Sequence, residues 1–174
     1  MTMDQAANHK GPPPSSMTIQ ELTDLHAREI CQWRYEAPFD IYNWPSWETT
    51  QKEGIEFGDS SIRDAQYAAV LGANHELIGF AQFFPIVGVT RLGLGMRPDL
   101  CGQGLGPAFV QAILREAQRR APHNEIDLEV LSWNTRAIRA YERVGFYIAD
   151  TYTRMTPTGP AECHCMVYKQ TADS

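Results

Sequence analysis

The stretch from Thr90 to Arg119 restricts the fold more than any other: Thr-Arg-Leu-Gly-Leu-Gly-Met-Arg-Pro-Asp, then glycines at 102, 104 and 106, then a long helical pattern. Thr90 to Met96 reads as a strand whose glycines leave one side bare, so that something can lie close along its backbone. Pro98 ends it. Beyond the glycines, Leu105, Ala108, Phe109, Ala112, Ile113 and Ala117 recur at three- and four-residue spacing, which predicts a helix of about four turns. The free N–H groups of its first turn face the loop. Glycine removes the side chains that would hold a ligand off, and a helix N-terminus carries roughly half a positive charge, so a phosphate or pyrophosphate fits there. A flexible turn before a core helix is the plainer reading of the same stretch. A dinucleotide fingerprint fails, because it requires glycine at 107 or 109 and meets Pro107 and Phe109; no Walker spacing exists anywhere in the chain.

With 174 residues, 43% hydrophobic and 21% charged, the composition is that of one soluble globular domain with a sizeable core. A net charge of −6 argues against nucleic acid or an anionic membrane as the main partner. No apolar run approaches the roughly twenty residues of a transmembrane helix, and the N-terminus lacks an apolar signal core, so a cytoplasmic protein is expected. Residues 1–16, polar and carrying Pro12, Pro13 and Pro14, are expected to be a disordered tail, with the domain in residues 17–170. Cys31, Cys101, Cys163 and Cys165 fit free thiols better than a disulfide framework. Strand alternation sends His164 to the face opposite Cys163 and Cys165, so no metal site is expected. Cys101 among glycines reads as a small loop residue or, less simply, a nucleophile.

Along the chain, Met17 to Ile19 reads as a short strand and Thr23 or Asp24 as the cap of a helix carrying Leu25, Ile30 and Trp33. The segment from Trp33 to Pro45 holds five aromatics and two prolines; it is either a substrate wall, with Tyr35, Phe39 and Tyr42 as contacts, or a loop plugging the core. Ser46 to Glu56 is a weak helix with a Ser46 cap, and Asp59 to Asp64 a link. Gln66 to Leu71 and Leu77 to Phe84 form a hairpin across Gly72 to Glu76, with the Thr90 strand as third member. Glu125 to Leu131 is a strand with Ile126, Leu128 and Val130 on one face and Asp127, Glu129 and Leu131 on the other. Asn134 to Val144 is a helix stopped by Gly145, and strands Phe146 to Met155 and Glu162 to Lys169 follow across a Pro157 to Pro160 turn.

Two stretches share one known pattern. The loop from Cys101 to Gly106, after Met96-Arg97-Pro98-Asp99, resembles the acetyl-CoA motif of GCN5-related N-acetyltransferases, Q/R-x-x-G-x-G/A. Asn134-x-x-Ala137-Ile138-x-x-Tyr141-Glu142-x-x-Gly145-Phe146 resembles the family's next segment. The resemblance implies an α/β fold: a mixed, mostly antiparallel sheet of six or seven strands with helices on both faces, splayed between the Thr90 and Glu125 strands. It also implies acetyl-CoA as co-substrate, a small-molecule or peptide amine as acceptor, and leaves a homodimer open. Cys101 stands where the family has Gln or Arg, so the cradle rests on the N–H groups of Gly102, Gln103, Gly104, Leu105, Gly106 and Pro107. Arg143 is the candidate for a further phosphate. By resemblance, the backbone of Leu94, Gly95 and Met96 pairs with the pantetheine arm like an added strand, and Asn134 holds the same arm.

Leu128-Glu129-Val130-x-x-x-Asn134 with Tyr141 is most similar to ribosomal-protein-alanine and related N-terminal acetyltransferases. That implies Glu129 as base, directly or through a water, and Tyr141 as acid, in a direct attack. The chemistry asks for both: a protein amine near neutral pH is mostly ammonium and must shed a proton before attacking a thioester, and the departing thiolate gains one. The structural alternatives are a solvent-facing strand residue and a core aromatic. For the whole chain, a catalytically silent CoA-binding or interaction domain is the alternative to an enzyme.

Overall fold

The computed structural model describes residues 16–170; the tail expected at residues 1–16 lies, apart from Ser16, outside the described residues. Strand β1 (Thr18–Glu21) leads into α1 (Asp24–Gln32). Thr23 caps that helix reciprocally, its hydroxyl accepting from the His26 N–H while His26 Nδ1 accepts from the Thr23 N–H. A 3-10 turn at Phe39–Tyr42 breaks the aromatic segment, and α2 (Trp47–Lys52) starts at the Ser46 cap. The link expected from Asp59 to Asp64 is instead the start of α3 (Ser60–Gln66). Asp59 makes it, its carboxylate accepting from the N–H groups of Ser61 and Ile62. Ser-Ser-Ile-Arg-Asp has no apolar period, so only the cap announces this helix, and the next strand begins at Tyr67 rather than Gln66.

Then come β2 (Tyr67–Leu71), β3 (Leu77–Ile86), β4 (Val89–Met96), α4 (Gly106–Arg120), β5 (Glu125–Leu131), α5 (Thr135–Val144), β6 (Phe146–Thr156) and β7 (Gly159–Tyr168). They form one seven-stranded sheet in the order β1-β2-β3-β4-β5-β7-β6, antiparallel throughout except between β4 and β5. Successive side chains of β2 enter opposite layers, as strand geometry requires. Ala68 and Val70 join Ile126, Leu128 and Val130 of β5 under Phe109, Ile113 and Ala117 of α4 and Ile138 of α5. Tyr67, Ala69 and Leu71 meet Ala27 and Ile30 of α1 with Phe57 and Phe80 on the other face. Helices therefore cover both faces. On the first face α4 and α5 approach closely: a β-carbon at Gly106 would stand 3.1 Å from that of Ala140.

The parallel ladder of β4 and β5 starts at Val89 opposite Glu125 and stops at Leu92 opposite Leu128. Beyond it β4 stays paired to β3 as far as Met96, while β5 continues along β7 as far as Leu131. The two strands part, as expected, and the gap opens at Gly93. The Arg97 N–H donates to the Ile78 carbonyl at 2.9 Å. Antiparallel alternation then turns the N–H and C=O groups of Leu94 and Met96 away from β3, into the gap.

Candidate active site

A cavity of about 1050 Å³ fills the gap. Its wall includes Leu94, Gly95 and Met96 of β4, Gly102, Gly104, Gly106 and Pro107 of the loop, Glu129 of β5, and Asn134, Tyr141 and Arg143 of α5 and its cap. Tyr35, Phe39 and Tyr42 of the aromatic segment also line it. Gln103 and Leu105 are not part of the wall: Leu105 is the cap residue of α4, and the Gln103 amide donates to the Asp99 carbonyl.

The loop is shaped for close approach of a ligand to backbone. Gly102 (φ 74°) and Gly104 (φ 80°) occupy the left-handed region that side chains with a β-carbon avoid. No side chain caps α4, so its first N–H groups are open to an anion. Pro107, having no N–H, contributes shape and not a donor. The Cys101 thiol turns inward, its sulfur 3.7 Å from the Met96 carbonyl and 3.6 Å from that of Arg97. Burial pushes its pKa up, so the thiol keeps its proton. It is a loop-packing residue in geometry and not an activated nucleophile.

Helix α5 brings positive charge to the cavity wall. Arg136, Arg139 and Arg143 stand three and four residues apart, hence on one face, and all three border the cavity. Arg136 Nη1 lies 3.7 Å from where a β-carbon of Gly102 would be, and its guanidinium rests over the Phe39 ring at 4.3 Å. Sequence reasoning singled out Arg143 alone. The spacing of all three was readable, but not the crossing that aims them at the loop.

The aromatic segment is a wall. Phe39 and Tyr42 pack on Trp133, with ring centroids 5.5 and 6.3 Å apart. Asn134 is buried: its side-chain oxygen caps α5 by accepting from the Ala137 N–H, and its amide donates to the Tyr42 hydroxyl at 3.3 Å. Tyr35 reaches across, its hydroxyl donating to the Met96 carbonyl at 2.6 Å.

Tyr141 packs against Phe146 at 6.1 Å, and its hydroxyl has no hydrogen-bond partner among the described residues. Burial, helped by nearby Tyr42, pushes its phenol pKa well above the ordinary range. The proton is therefore held throughout the physiological range. Glu129 differs: Oε1 accepts from Arg91 Nη1 at 3.0 Å and Oε2 from the Tyr152 hydroxyl at 2.6 Å, with Arg154 Nη1 3.7 Å away. Arg91 also clasps both oxygens of Asp127, at 3.0 and 2.8 Å. Cys163 and Cys165 face these carboxylates, with sulfur to oxygen distances of 3.8 and 3.7 Å, while His164 turns to Thr151 on the other face. Burial pushes the Cys165 thiol up to about 11. Arg91, Tyr152 and Arg154 were not foreseen; they come from two strands, β4 and β6, whose register no local pattern fixes.

Residues 27–146 match the model of the acetyltransferase (GNAT) family. The chain belongs to that family. Acetyl-CoA is thus its co-substrate, and the glycine loop, the bare edge of β4 and the open end of α4 fit it. A stretch of 68 residues is 37% identical to a mycothiol acetyltransferase of Propionibacterium freudenreichii subsp. shermanii, covering 39% of this chain and 22% of that protein. The chain thus matches about a fifth of that relative's length. Among solved structures, a chimera of the Vibrio cholerae spermidine N-acetyltransferase SpeG and hSSAT superposes with TM-score 0.73 at 19% identity, over 88% of this chain and 95% of that one. The Vibrio cholerae spermidine N-acetyltransferase in complex with CoA and spermine gives TM-score 0.71 at 17% identity, over 87% and 94%. At these identities the likeness to solved structures is one of fold. These relatives are mycothiol and spermidine enzymes, not the alanine N-acetyltransferases that the β5 motif resembles. No described helix is long and apolar enough to cross a membrane.

Proposed function

We propose that this GNAT chain transfers the acetyl group of acetyl-CoA to a primary amine of a small molecule, by direct attack within a ternary complex. One observation carries the reading: a single cavity joins the glycine loop, the open edge of β4 and Tyr141. The spermidine N-acetyltransferases of the same fold support a small amine over a protein N-terminus.

The thioester supplies an activated acetyl group. The N–H groups of the loop and first turn of α4 receive the pyrophosphate, with Arg136, Arg139 and Arg143 lending charge from α5. Leu94 and Met96 offer strand-like hydrogen bonds to the pantetheine arm. Asn134 holds the turn that carries α5, leaving little of its amide for the same arm. Tyr141, unpartnered and protonated, donates to the leaving sulfur. Both oxygens of Glu129 already accept hydrogen bonds, which suits it to anchoring Arg91 and Tyr152 under the cavity more than to taking a proton directly.

Release of CoA thiol from acetyl-CoA, measured with spermidine, an alanine-initiated peptide, a lysine peptide and free amino acids, tests the reading. Turnover with spermidine or another small amine is expected. Acetyl-CoA binding without thiol release for any amine would instead favour a silent CoA-binding domain.

A further inference from the structure

Glu56 is a second carboxylate at the cavity wall, on the acceptor side. It sits in the 3-10 turn Glu56–Gly58 with φ 48°, a left-handed backbone uncommon for a residue with a β-carbon and frequent where a side chain must be aimed. Two neutral donors hold one of its oxygens: Oε2 accepts from the Tyr67 hydroxyl at 2.9 Å and from Gln82 Nε2 at 3.1 Å. Gln82 is steadied in turn by donating to Gln66 Oε1 at 2.9 Å. Oε1 has no hydrogen-bond partner, and Glu56 takes part in no ion pair, among the described residues. Glu129 is the reverse case, with one oxygen on an arginine and the other on a phenol.

The sheet register explains the spacing of the two. Gln82 pairs with Gly93 across β3 and β4, and Glu129 stands one residue past the last β4–β5 pair, level with Gly93. Gln82 on the paired strand β3 and Glu129 on the parting strand β5 therefore flank a strip floored by Gly93, a residue without a side chain. That strip begins where β4 and β5 part, so it leads to the backbone that faces the gap.

We infer that Glu56 is the carboxylate that receives the acceptor ammonium and takes its proton, an inference that rests on the acetyltransfer reading above. An ammonium over Gly93 donates an N–H to Oε1; that N–H bond breaks and an O–H bond forms on Glu56. The freed nitrogen lone pair then makes the C–N bond to the acetyl carbon, and the C–S bond breaks with its electron pair going to sulfur. Tyr141 protonates the thiolate, the nitrogen sheds its second proton to water, and Glu56 and Tyr141 re-equilibrate with solvent. One proton is released per turnover. The groups around Glu56 leave this step to it. Tyr67 from β2 is kept protonated by burial and by the Glu56 charge, Arg63 of α3 donates to the Phe57 carbonyl at 2.9 Å, and Arg91 and Arg154 across the strip lie against Glu129.

The test compares parent, Glu56→Gln, Glu56→Gly and Glu129→Gln between pH 6 and 9. The amine is whichever of spermidine, an alanine-initiated peptide and a lysine peptide the parent acetylates fastest. Glu56→Gln should lower kcat/KM by ~10²-fold at pH 7, within the range of general acid–base groups, with acetyl-CoA affinity by calorimetry unchanged. The loss should shrink toward pH 9, where solution supplies more neutral amine. Glu56→Gly suits the positive φ and should be rescued several-fold by added formate, whereas a purely structural role predicts a pH-independent loss without rescue. Glu129→Gln should show no such pH dependence. Glu56 variants equal to the parent, or a flat loss without formate rescue, would overturn this inference alone; no turnover by the parent with any of these amines would overturn the acetyltransfer reading and this inference with it.

Discussion

The two sides of the cavity are built from different materials. The side formed by the Gly102 to Gly106 loop, the N-terminus of α4 and the edge of β4 is mostly main chain, with positive φ at Gly102 and Gly104 and an uncapped helix end. The proposed acceptor side is mostly side chain: Tyr35, Phe39, Tyr42, Glu56 and Glu129 arrive from three separate segments. In the proposed reading, backbone recognises what every reaction of this kind shares, a phosphorylated arm of fixed shape, and side chains recognise what differs between acceptors. A substitution on the first side should therefore cut binding of acetyl-CoA, and one on the second should cut turnover with a given amine.

The sharpest way to break that division is Gly104→Asp. A carboxylate about 4 Å from a phosphate costs at most about 4 kcal/mol at an effective dielectric of 20, so acetyl-CoA affinity by calorimetry should fall by about 100-fold or more. At Gly106 the same change also drives a β-carbon toward Ala140, so its loss of affinity should come with a lower Tm. Unchanged affinity in both would refute the loop as the phosphate site.

Next is Tyr141→Phe, on the border between the two sides. Steady-state kinetics should show kcat lowered by ~10²-fold, the low end for acid–base groups because a thiolate is a fair leaving group, with acetyl-CoA affinity unmoved. Burial raises the folded pKa of Tyr141 above its unfolded value, so the protonated donor persists past pH 9. The parent rate should accordingly show no alkaline fall from this group below pH 10. Such a fall, absent in the Phe variant, would count against the raised pKa, while a Phe variant with the parent's kcat would count against the hydroxyl as donor.

Arg136→Ala should act on the backbone side through charge, weakening acetyl-CoA by ~10-fold from a lost charge-assisted contact and the cation–π stack on Phe39. Titrations at 50 and 300 mM salt should show the parent's affinity more salt-sensitive than the variant's. Smallest of all, Cys101→Arg should leave affinity equal or tighter, within about threefold, because Arg136 already lies against Gly102.

How much was legible follows the same division. The glycine loop, the helix after it, the alternation in β5 and the splay between β4 and β5 all rest on local patterns or on a motif, although the sequence did not say that the splay begins at Gly93. Helix α3 was missed because its start depends on one Asp59 side chain rather than on a period of apolar residues. Glu56 carries no local signal, since its backbone angle and its partners Tyr67 and Gln82 exist only once β2 and β3 pair. Glu129 was found on β5, but its clasp by Arg91 and Tyr152 depends on the order β4-β5-β7-β6. Long-range register, and not composition, sets what a carboxylate here is free to do.

The Tyr35 hydroxyl on the Met96 carbonyl gives the two sides a thermodynamic connection. In the proposed reading the phenol belongs to the aromatic segment over the acceptor, and the carbonyl to the strand edge that would meet the pantetheine arm. Any acceptor that shifts Tyr35 changes what Met96 offers, and linkage then obliges acetyl-CoA to change acceptor affinity by the same factor. Any such mutual effect is expected to show as a change of equilibrium affinity, and to weaken when Tyr35 is replaced by Phe.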